Sequence, residues 1–181
     1  MMKGIVFTEF IEMVESQYSP LIADKIITAS ELKSGGAYTA VGTYDYQEML
    51  QLVNELSKAS GVAVADLLRR FGERLFHTFV RNYSQYLNGA HSTFEFLRQV
   101  DHHIHAEVRK VYPDVELPQL ECELKDNRLE IVYKSIRAMA DLAEGLINAC
   151  IQYFHEDIQV IKKDLSGGIG VKVKFILIKR R

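Results

Sequence analysis

The spacing of apolar residues changes along the chain, and this change limits the folds that the chain can adopt. Up to about residue 112, apolar residues recur at intervals of three and four, the pattern typical of amphipathic helices. Beyond Pro113 the pattern shifts to short runs with strand-like alternation, most clearly in VKVKFILIK at residues 171–179. A series of helices followed by strands predicts an α+β fold with an antiparallel sheet.

The same spacing predicts individual elements. Helices are expected over residues 5–18, 20–28, 45–59, 62–83, 94–112 and 138–154, and strands over residues 120–126, 128–135, 158–165 and 171–179. Residues 29–44 are expected to form a loop or a small strand, and Gly61 to end a helix. Asp126-Asn127 and Ser166-Gly167-Gly168 are typical hairpin turns. We therefore expect one domain, residues 1–181, with a helical lobe at residues 1–60 packed on a sheet-containing part at residues 61–181.

Gly72 stands inside the predicted helix 62–83. A glycine there costs about 1 kcal/mol relative to alanine. The cost is tolerable where the helix backbone must closely approach something flat or bulky. We expect such an approach at Gly72.

The composition excludes several classes of protein. Of the 181 residues, 48% are hydrophobic, and the formal net charge of −2 does not supply the basic surface of a nucleic-acid-binding protein. No apolar run approaches the roughly 20 residues of a membrane span, and Glu9 and Glu12 come too early for a signal peptide. The two cysteines, Cys122 and Cys150, lie far apart, which argues against a disulfide framework or a zinc knuckle. We expect a cytoplasmic protein without nucleic-acid or membrane partners.

Three of the six histidines fall within four positions, at His102, His103 and His105. The predicted helix around them carries one apolar stripe, formed by Leu97, Val100, Ile104, Val108 and Val111. With about 100° of rotation per residue, His102 points away from the stripe, and His103 and His105 lie on its two flanks. The pattern excludes His102 from the interior but does not choose between the other two.

The histidine spacing is not that of a two-histidine metal site. Such a site on one helix uses the i, i+4 spacing of HExxH, whereas these histidines are one, two and three residues apart. Surface histidines are the ordinary interpretation. A haem iron, however, can be held by a single axial histidine, so the residues alone leave both interpretations open.

A second group of polar residues stands at the end of the predicted strand 128–135 and just beyond it. Tyr133, Ser135 and Arg137 alternate, which places them on one face if the chain stays extended. A phenol, a hydroxyl and a guanidinium that converge at the start of the next helix suit a ligand with carboxylates. The alternative is an ordinary solvent-facing strand end.

Taken together, these residues resemble the haem nitric oxide/oxygen-binding (H-NOX) family, which includes the sensory domain of soluble guanylate cyclase. The resemblance rests on IHAEVRKVYP around His105, on Pro118 thirteen residues later, and on the Tyr133-x-Ser135-x-Arg137 triplet. It extends over the whole chain, from the MKGIVF start to the two closing strands.

The resemblance implies roles for specific residues. His105 would be the axial ligand of the iron of haem b, enclosed by the helices and the sheet. Tyr133, Ser135 and Arg137 would hold the haem propionates, and Pro118 would press on the porphyrin and keep it out of plane. His102 and His103 match no ligand position.

One position departs from the family pattern. Many members have an aspartate three residues before the axial histidine, where this chain has His102, and Asp101 stands four residues before His105 instead. An i−4 neighbour still shares the helix face. The sequence leaves open whether Asp101 orients His105.

The resemblance also implies the wall of the gas pocket. Oxygen-binding members have a tyrosine five residues after the arginine of the triplet, where this chain has Leu142. The other expected distal residues are Val6, Phe10, Leu75, Phe79 and Leu146. None of these side chains donates a hydrogen bond. Bound O₂ carries partial negative charge, and a hydrogen bond to it would contribute about 1–3 kcal/mol to its binding. The expected ligands are NO and CO, with O₂ excluded.

We recognise no nucleophile–base pair and no phosphate-binding loop, so a sensor is expected rather than an enzyme. Because the chain ends at Arg181 without an effector domain, its output is expected to pass in trans to a partner, which in this family is a histidine kinase or a diguanylate cyclase. The resemblance implies the switch as well: NO weakens the iron–histidine bond, and the N-terminal lobe moves against the rest.

Two other functions compete with a gas sensor. A catalytic or gas-carrying haem domain is disfavoured because no acid–base residue or oxygen-stabilising donor occupies the matched distal positions. A cofactor-free interaction module would use its histidines as groups that titrate near neutral pH.

Overall fold

Helices come first along the chain and the sheet follows, which confirms the α+β class predicted from the spacing of apolar residues. The computed structural model describes residues 1–87 and 89–180. The first elements are β1 (Met2–Lys3), α1 (Gly4–Gln17), α2 (Pro20–Ala29), β2 (Thr43–Tyr44), α3 (Tyr46–Ser60) and α4 (Val64–Asn82). A 3₁₀ turn at Ser84–Tyr86 then leads to α5 (Thr93–Gln99), a π-helical segment (Val100–His105) and α6 (Ala106–Val111). The last elements are β3 (Gln119–Lys125), β4 (Arg128–Lys134), α7 (Ala140–Tyr153), β5 (Ile158–Asp164) and β6 (Lys172–Lys179).

The sheet of the C-terminal half is antiparallel and has the order β3-β4-β6-β5. In β4, alternate residues Leu129, Ile131 and Tyr133 are buried. They lie opposite Leu177, Phe175 and Val173 of β6. Period-two alternation thus gives the central strands one fully apolar face.

Buried residues form two hydrophobic clusters. The N-terminal cluster joins α1, α2, α3 and α4 as far as Leu75, and includes Phe7, Phe10, Met13, Leu52 and Phe71. The C-terminal cluster joins the end of α4, α5, α7 and the sheet, and includes Phe76, Phe96, Ile131, Tyr133 and Phe175. Helix α4 therefore belongs to both clusters, and one rigid element connects the two halves.

The seam between α4 and α7 requires two glycines. A Cβ at Gly72 would lie 2.3 Å from the carbonyl oxygen of Leu142, and one at Gly145 would lie 2.1 Å from that of Arg69. The close approach expected at Gly72 is therefore to the backbone of another helix. Around this seam, Arg69 forms an ion pair with Asp141 at 2.8 Å, and Lys162 of β5 pairs with the same carboxylate at 2.6 Å.

The loop between α2 and β2 is fixed by one buried carboxylate. Glu48 of α3 accepts hydrogen bonds from the backbone N–H and the hydroxyl of Ser34, and from the phenol of Tyr38 at 2.8 Å. Burial and this carboxylate together raise the pKa of Tyr38. Since buried acceptors are costly unless paired, Glu48 ties the loop to the N-terminal lobe.

The continuous helix predicted over residues 94–112 is interrupted. Residues Val100–His105 form a π-helical segment between α5 and α6. π-Helical turns widen a helix by one residue and occur frequently at functional sites.

Among the described residues, no helix combines the length and the apolar character that a membrane crossing requires.

Candidate ligand-binding cavity and its histidine

A cavity of about 540 Å³ opens between the C-terminal cluster, the start of the chain and the end of α4. Its wall includes the whole predicted apolar stripe, formed by Leu97, Val100, Ile104, Val108 and Val111. The stripe therefore faces a cavity and not a filled core. Cavities of this size and apolar character are typical binding sites for small molecules and cofactors.

Only one histidine of the triple group reaches this cavity in the described structure. The His105 side chain lines the wall and is 14% exposed, whereas His102 and His103 are exposed and do not line it. The prediction that His102 faces solvent is confirmed. Within residues 1–87 and 89–180, no three side chains of His, Cys, Asp or Glu come together as a metal site.

Asp101 orients the His105 ring. Its carboxylate oxygen Oδ1 lies 3.2 Å from Nδ1 of His105, and Arg109 donates to the same oxygen at 3.2 Å. An ionised carboxylate only accepts, so Nδ1 carries the proton and Nε2 keeps its lone pair. Burial lowers the pKa of His105, although Asp101 and the backbone of Pro118 oppose this shift. A neutral imidazole with its Nδ1 engaged is the form that binds a metal through Nε2.

Of the three residues Tyr133, Ser135 and Arg137, only Tyr133 lines the cavity, and the other two lie next to its side chain. Tyr133 lines the wall and is buried, and burial raises the pKa of its phenol while the neighbouring Ser135 hydroxyl opposes the shift. The Ser135 hydroxyl also accepts the backbone N–H of Arg137 at 3.1 Å. Ser135 therefore links the other two, although β4 itself ends at Lys134.

Arg137 joins two distant parts of the chain. Its Nη2 donates to the carbonyl of Met1 at 2.6 Å and to the carbonyl of Glu116. Its Nε is buried and has no hydrogen-bond partner within the part of the chain that the structure describes. Burial lowers the pKa of this guanidinium, with the Glu116 carboxylate 3.7 Å away acting in the opposite direction. A buried cationic group with an unused N–H is costly unless an acceptor completes it.

The residues expected around the porphyrin are placed in two layers. Pro118, Val6, Phe79 and Leu146 line the cavity. Phe10, Leu75 and Leu142 do not: Phe10 and Leu75 are buried in the N-terminal cluster, and Leu142 packs against that cluster. Phe10 meets the ring of Phe71 edge to face at 5.2 Å. These three residues support the wall from behind.

Several residues at the cavity were not predicted from the sequence. Lys3, Val41, Tyr83 and Tyr112 contribute to the wall. Lys3 donates to the carbonyl of Val41 at 2.6 Å and lies 3.6 Å from the centre of the Tyr112 ring. The sequence did contain one signal for Lys3, namely a charged residue within the otherwise apolar start of the chain. Nothing in the local pattern indicates that residues 40–41 reach the cavity.

The fold and the cavity define an α+β ligand-binding domain with one oriented histidine. The sequence model of the Haem-NO-binding family matches residues 3–162. The protein therefore belongs to the Haem-NO-binding, or H-NOX, family, whose members are haem-based gas sensors. H-NOX domains are sensor domains and are not catalytic by themselves.

Solved structures support this membership. The Fe(II) unliganded H-NOX protein from K. algicida is 42% identical, with a TM-score of 0.94, over 99% of this chain and 97% of that one. The IWP-051-bound H-NOX from Shewanella woodyi in the Fe(II)CO state is 38% identical, with a TM-score of 0.83, over 99% and 95%. An H-NOX protein from S. oneidensis in the Fe(II)NO state has a TM-score of 0.90 over 99% and 100%, and at 22% identity it supports the fold alone. None of the curated proteins compared with the chain is significantly similar to it.

The cavity residues fit a haem on physical grounds. Its apolar wall suits a flat macrocycle, and His105 offers a neutral nitrogen to an iron. The orphaned Nε of Arg137 and the Tyr133 phenol suit the ionised carboxylates that a haem carries at one edge.

Proposed function

We propose that the protein is a cytoplasmic haem-based gas sensor that binds NO and CO, excludes O₂ and signals in trans to a partner such as a histidine kinase or a diguanylate cyclase. A ferrous haem b, when bound, supplies the iron at which a diatomic gas is captured. The observation that carries the proposal is the Asp101–His105 pair in the wall of an apolar cavity. Family membership supports it.

We assign axial ligation to His105. Asp101 accepts from Nδ1–H of His105, which leaves the lone pair of Nε2 available to a metal. Arg109 donates to the same carboxylate oxygen and holds Asp101 in place. His102 and His103 are exposed, and they do not line the cavity in the described structure. A carboxylate that accepts from Nδ1–H also raises the basicity of the ligating nitrogen, which strengthens the bond to the metal.

We assign the binding of the haem carboxylates to Tyr133, Ser135 and Arg137. The Arg137 guanidinium is permanently charged and has an unused Nε–H, so it offers the strongest of the three interactions. Tyr133 adds one neutral donor at the cavity wall. Pro118 lines the cavity, and we assign to it the side chain that would press on a bound porphyrin.

Gas selectivity follows from the expected distal side chains. Val6, Phe79 and Leu146 line the cavity, with Phe10, Leu75 and Leu142 behind them, and none of these six donates a hydrogen bond. NO binds with little charge separation, so an apolar wall costs it little, whereas O₂ loses a hydrogen bond worth about 1–3 kcal/mol. Tyr83 also lines the cavity, and its phenol is the donor to test in this respect.

The route of the signal starts at Arg137. This residue connects the carbonyl of Met1, at the start of the N-terminal lobe, with the carbonyl of Glu116, two residues before Pro118. A haem held by Pro118 and Arg137 would therefore be coupled to the N-terminal lobe through these contacts of Arg137. We propose that this link biases two positions of the lobe, one of which the partner recognises.

Visible spectra of the ferrous, haem-loaded protein test the proposal. We expect an unliganded spectrum both without oxygen and in air, and new spectra on addition of CO or NO. Tyr83→Phe should not change the behaviour in air. A stable complex with O₂ contradicts the selectivity, and failure to take up haem favours the cofactor-free interaction module.

The output needs a separate measurement. The activity of a kinase or cyclase encoded beside this protein should depend on the unliganded or the NO-bound state when the two proteins are mixed. Peroxide turnover by the haem-loaded protein would instead favour a catalytic haem domain.

A further inference from the structure

Lys3 is a cation in the wall of the cavity that no ion pair of the described chain explains. Its ammonium donates to the Val41 carbonyl at 2.6 Å and lies over the face of Tyr112, 3.6 Å from the ring centre. Neither partner is a carboxylate. Glu107, an acidic residue of the cavity wall, pairs with Lys110 at 2.6 Å. An ammonium group has three N–H donors, and the Val41 carbonyl uses one of them.

Lys3 lines the cavity wall, and Arg137, which does not line it, bonds to the chain two residues before Lys3. Arg137 donates to the carbonyl of Met1. Met1 and Lys3 are two residues apart, so the Cα atoms of Met1 and Lys3 are separated by at most about 7 Å. The two cations therefore lie near the same short stretch of chain, and Lys3 is the one in the cavity wall.

The charge of the proposed ligand requires more than one cation. A haem carries two carboxylates that leave the same edge of the porphyrin, and both are ionised at neutral pH. Arg137 supplies one permanent charge. The Glu116 carboxylate, 3.7 Å from Arg137, pairs with the Met1 ammonium at 2.6 Å, so the chain terminus does not supply a second unpaired cation. A second carboxylate at this end without its own cation would lack a charged partner.

We propose that Lys3 binds the second propionate of the haem, the one that Arg137 does not hold. This inference rests on the proposed function. Lys3 keeps its contacts with Val41 and Tyr112 and donates its remaining N–H groups to the carboxylate. It thereby connects β1, the loop that carries Val41 and the end of α6 across the mouth of the cavity. Burial lowers the pKa of Lys3, a shift that a bound carboxylate would oppose.

Haem transfer to excess apomyoglobin tests this role. Lys3→Met should lose haem about tenfold faster than the unmodified protein, the lower end of the range for one hydrogen bond to a charged group. Lys3→Arg should restore most of the retention because it keeps the charge. Lys33→Met is the matched control: this lysine is 84% exposed and should leave the rate unchanged.

The same experiment with haem dimethyl ester separates carboxylate binding from a structural role. The ester has no propionate charge, so the unmodified protein and Lys3→Met should release it at the same rate. Equal rates for haem itself would overturn the proposal, and so would an equal acceleration with haem and ester, which would mean that Lys3 only closes the mouth of the cavity. If the unmodified protein takes up neither compound, the proposed function fails first and this inference falls with it.

Discussion

The two hydrophobic clusters of the protein differ in how completely they are filled. In the described structure, no buried member of the N-terminal cluster lines the cavity. Seven buried members of the C-terminal cluster do: Phe76, Phe96, Leu97, Ile131, Tyr133, Ile147 and Phe175. Close packing is the normal state of a protein interior, so the C-terminal cluster lacks packing partners that the N-terminal cluster already has. The buried core of the helical lobe is therefore complete by itself, whereas we expect a ligand to complete the core of the sheet half.

The first way to sharpen this comparison is to add haem to protein prepared without it. A ligand present at a thousand times its dissociation constant stabilises the folded state by about 4 kcal/mol. Hydrogen exchange followed by mass spectrometry should slow most in β4, β6 and α5, and much less in α1, α2 and α3. Equal protection of both halves would show that they are not independent. Omitting haem from the same protocol is the control.

The seam between α4 and α7 connects the two halves and can be broken selectively. Gly145→Ala places a Cβ 2.1 Å from the carbonyl oxygen of Arg69, and overpacking of this kind costs about 1–3 kcal/mol. Urea denaturation of the haem-free protein should show the loss in both halves. Gly61→Ala, where φ is +73° and the space is open, is the control and should cost about 1 kcal/mol. If the two variants behave alike, the seam is not as tight as the distances indicate.

A change confined to the N-terminal lobe should spare the other half. Glu48→Ala removes the acceptor of Ser34 and Tyr38, which should cost about 1–3 kcal/mol. Glu55→Ala on the same helix removes a surface ion pair with Lys58 and should cost less than about 0.5 kcal/mol. Hydrogen exchange should report the loss in α2 and α3. Faster exchange in the sheet as well would contradict the independence of the lobe.

The smallest expected effect concerns the distal wall. Leu142→Tyr places a phenol at the position that we expect to match the distal tyrosine of oxygen-binding members, and should give O₂ an affinity gain equivalent to about 1 kcal/mol. Leu142 lies behind the cavity wall and packs against the N-terminal cluster, so the gain should be partial. The measurement is the ferrous spectrum under increasing oxygen pressure. A loss of CO binding in the same variant would mean that the phenol blocks the site.

Local signals explain why much of the fold could be predicted. The helix expected over residues 45–59 spans Tyr46–Ser60, because a capping residue stands at each of its ends. The Asp45 side chain accepts from the Gln47 N–H at 3.0 Å, and Gly61 adopts the left-handed conformation that ends the helix. The sequence contains no comparable signal for the π-helical segment, because the backbone groups of the same residues can form either α-helical or π-helical hydrogen bonds.

The site was less predictable because its decisive contacts are long-range. Periodicity placed His103 and His105 on two flanks of a stripe, and only the fold shows that His105 reaches the cavity. Periodicity also directs Phe10 and Leu75 inward, but it does not distinguish the N-terminal cluster from the cavity. Contacts such as Arg137 with Met1 connect residues at opposite ends of the chain. No local pattern encodes them.

The most direct test of the account is the haem content of His105→Gly. We predict that this variant loses haem when it is prepared without imidazole and regains it when imidazole is supplied, because the cavity remains and only the ligand nitrogen is missing. His103→Ala is the matched control and should retain haem, since its side chain is exposed. Full haem loading and an unchanged ferrous spectrum in His105→Gly without imidazole would contradict the assignment of His105 as the axial ligand.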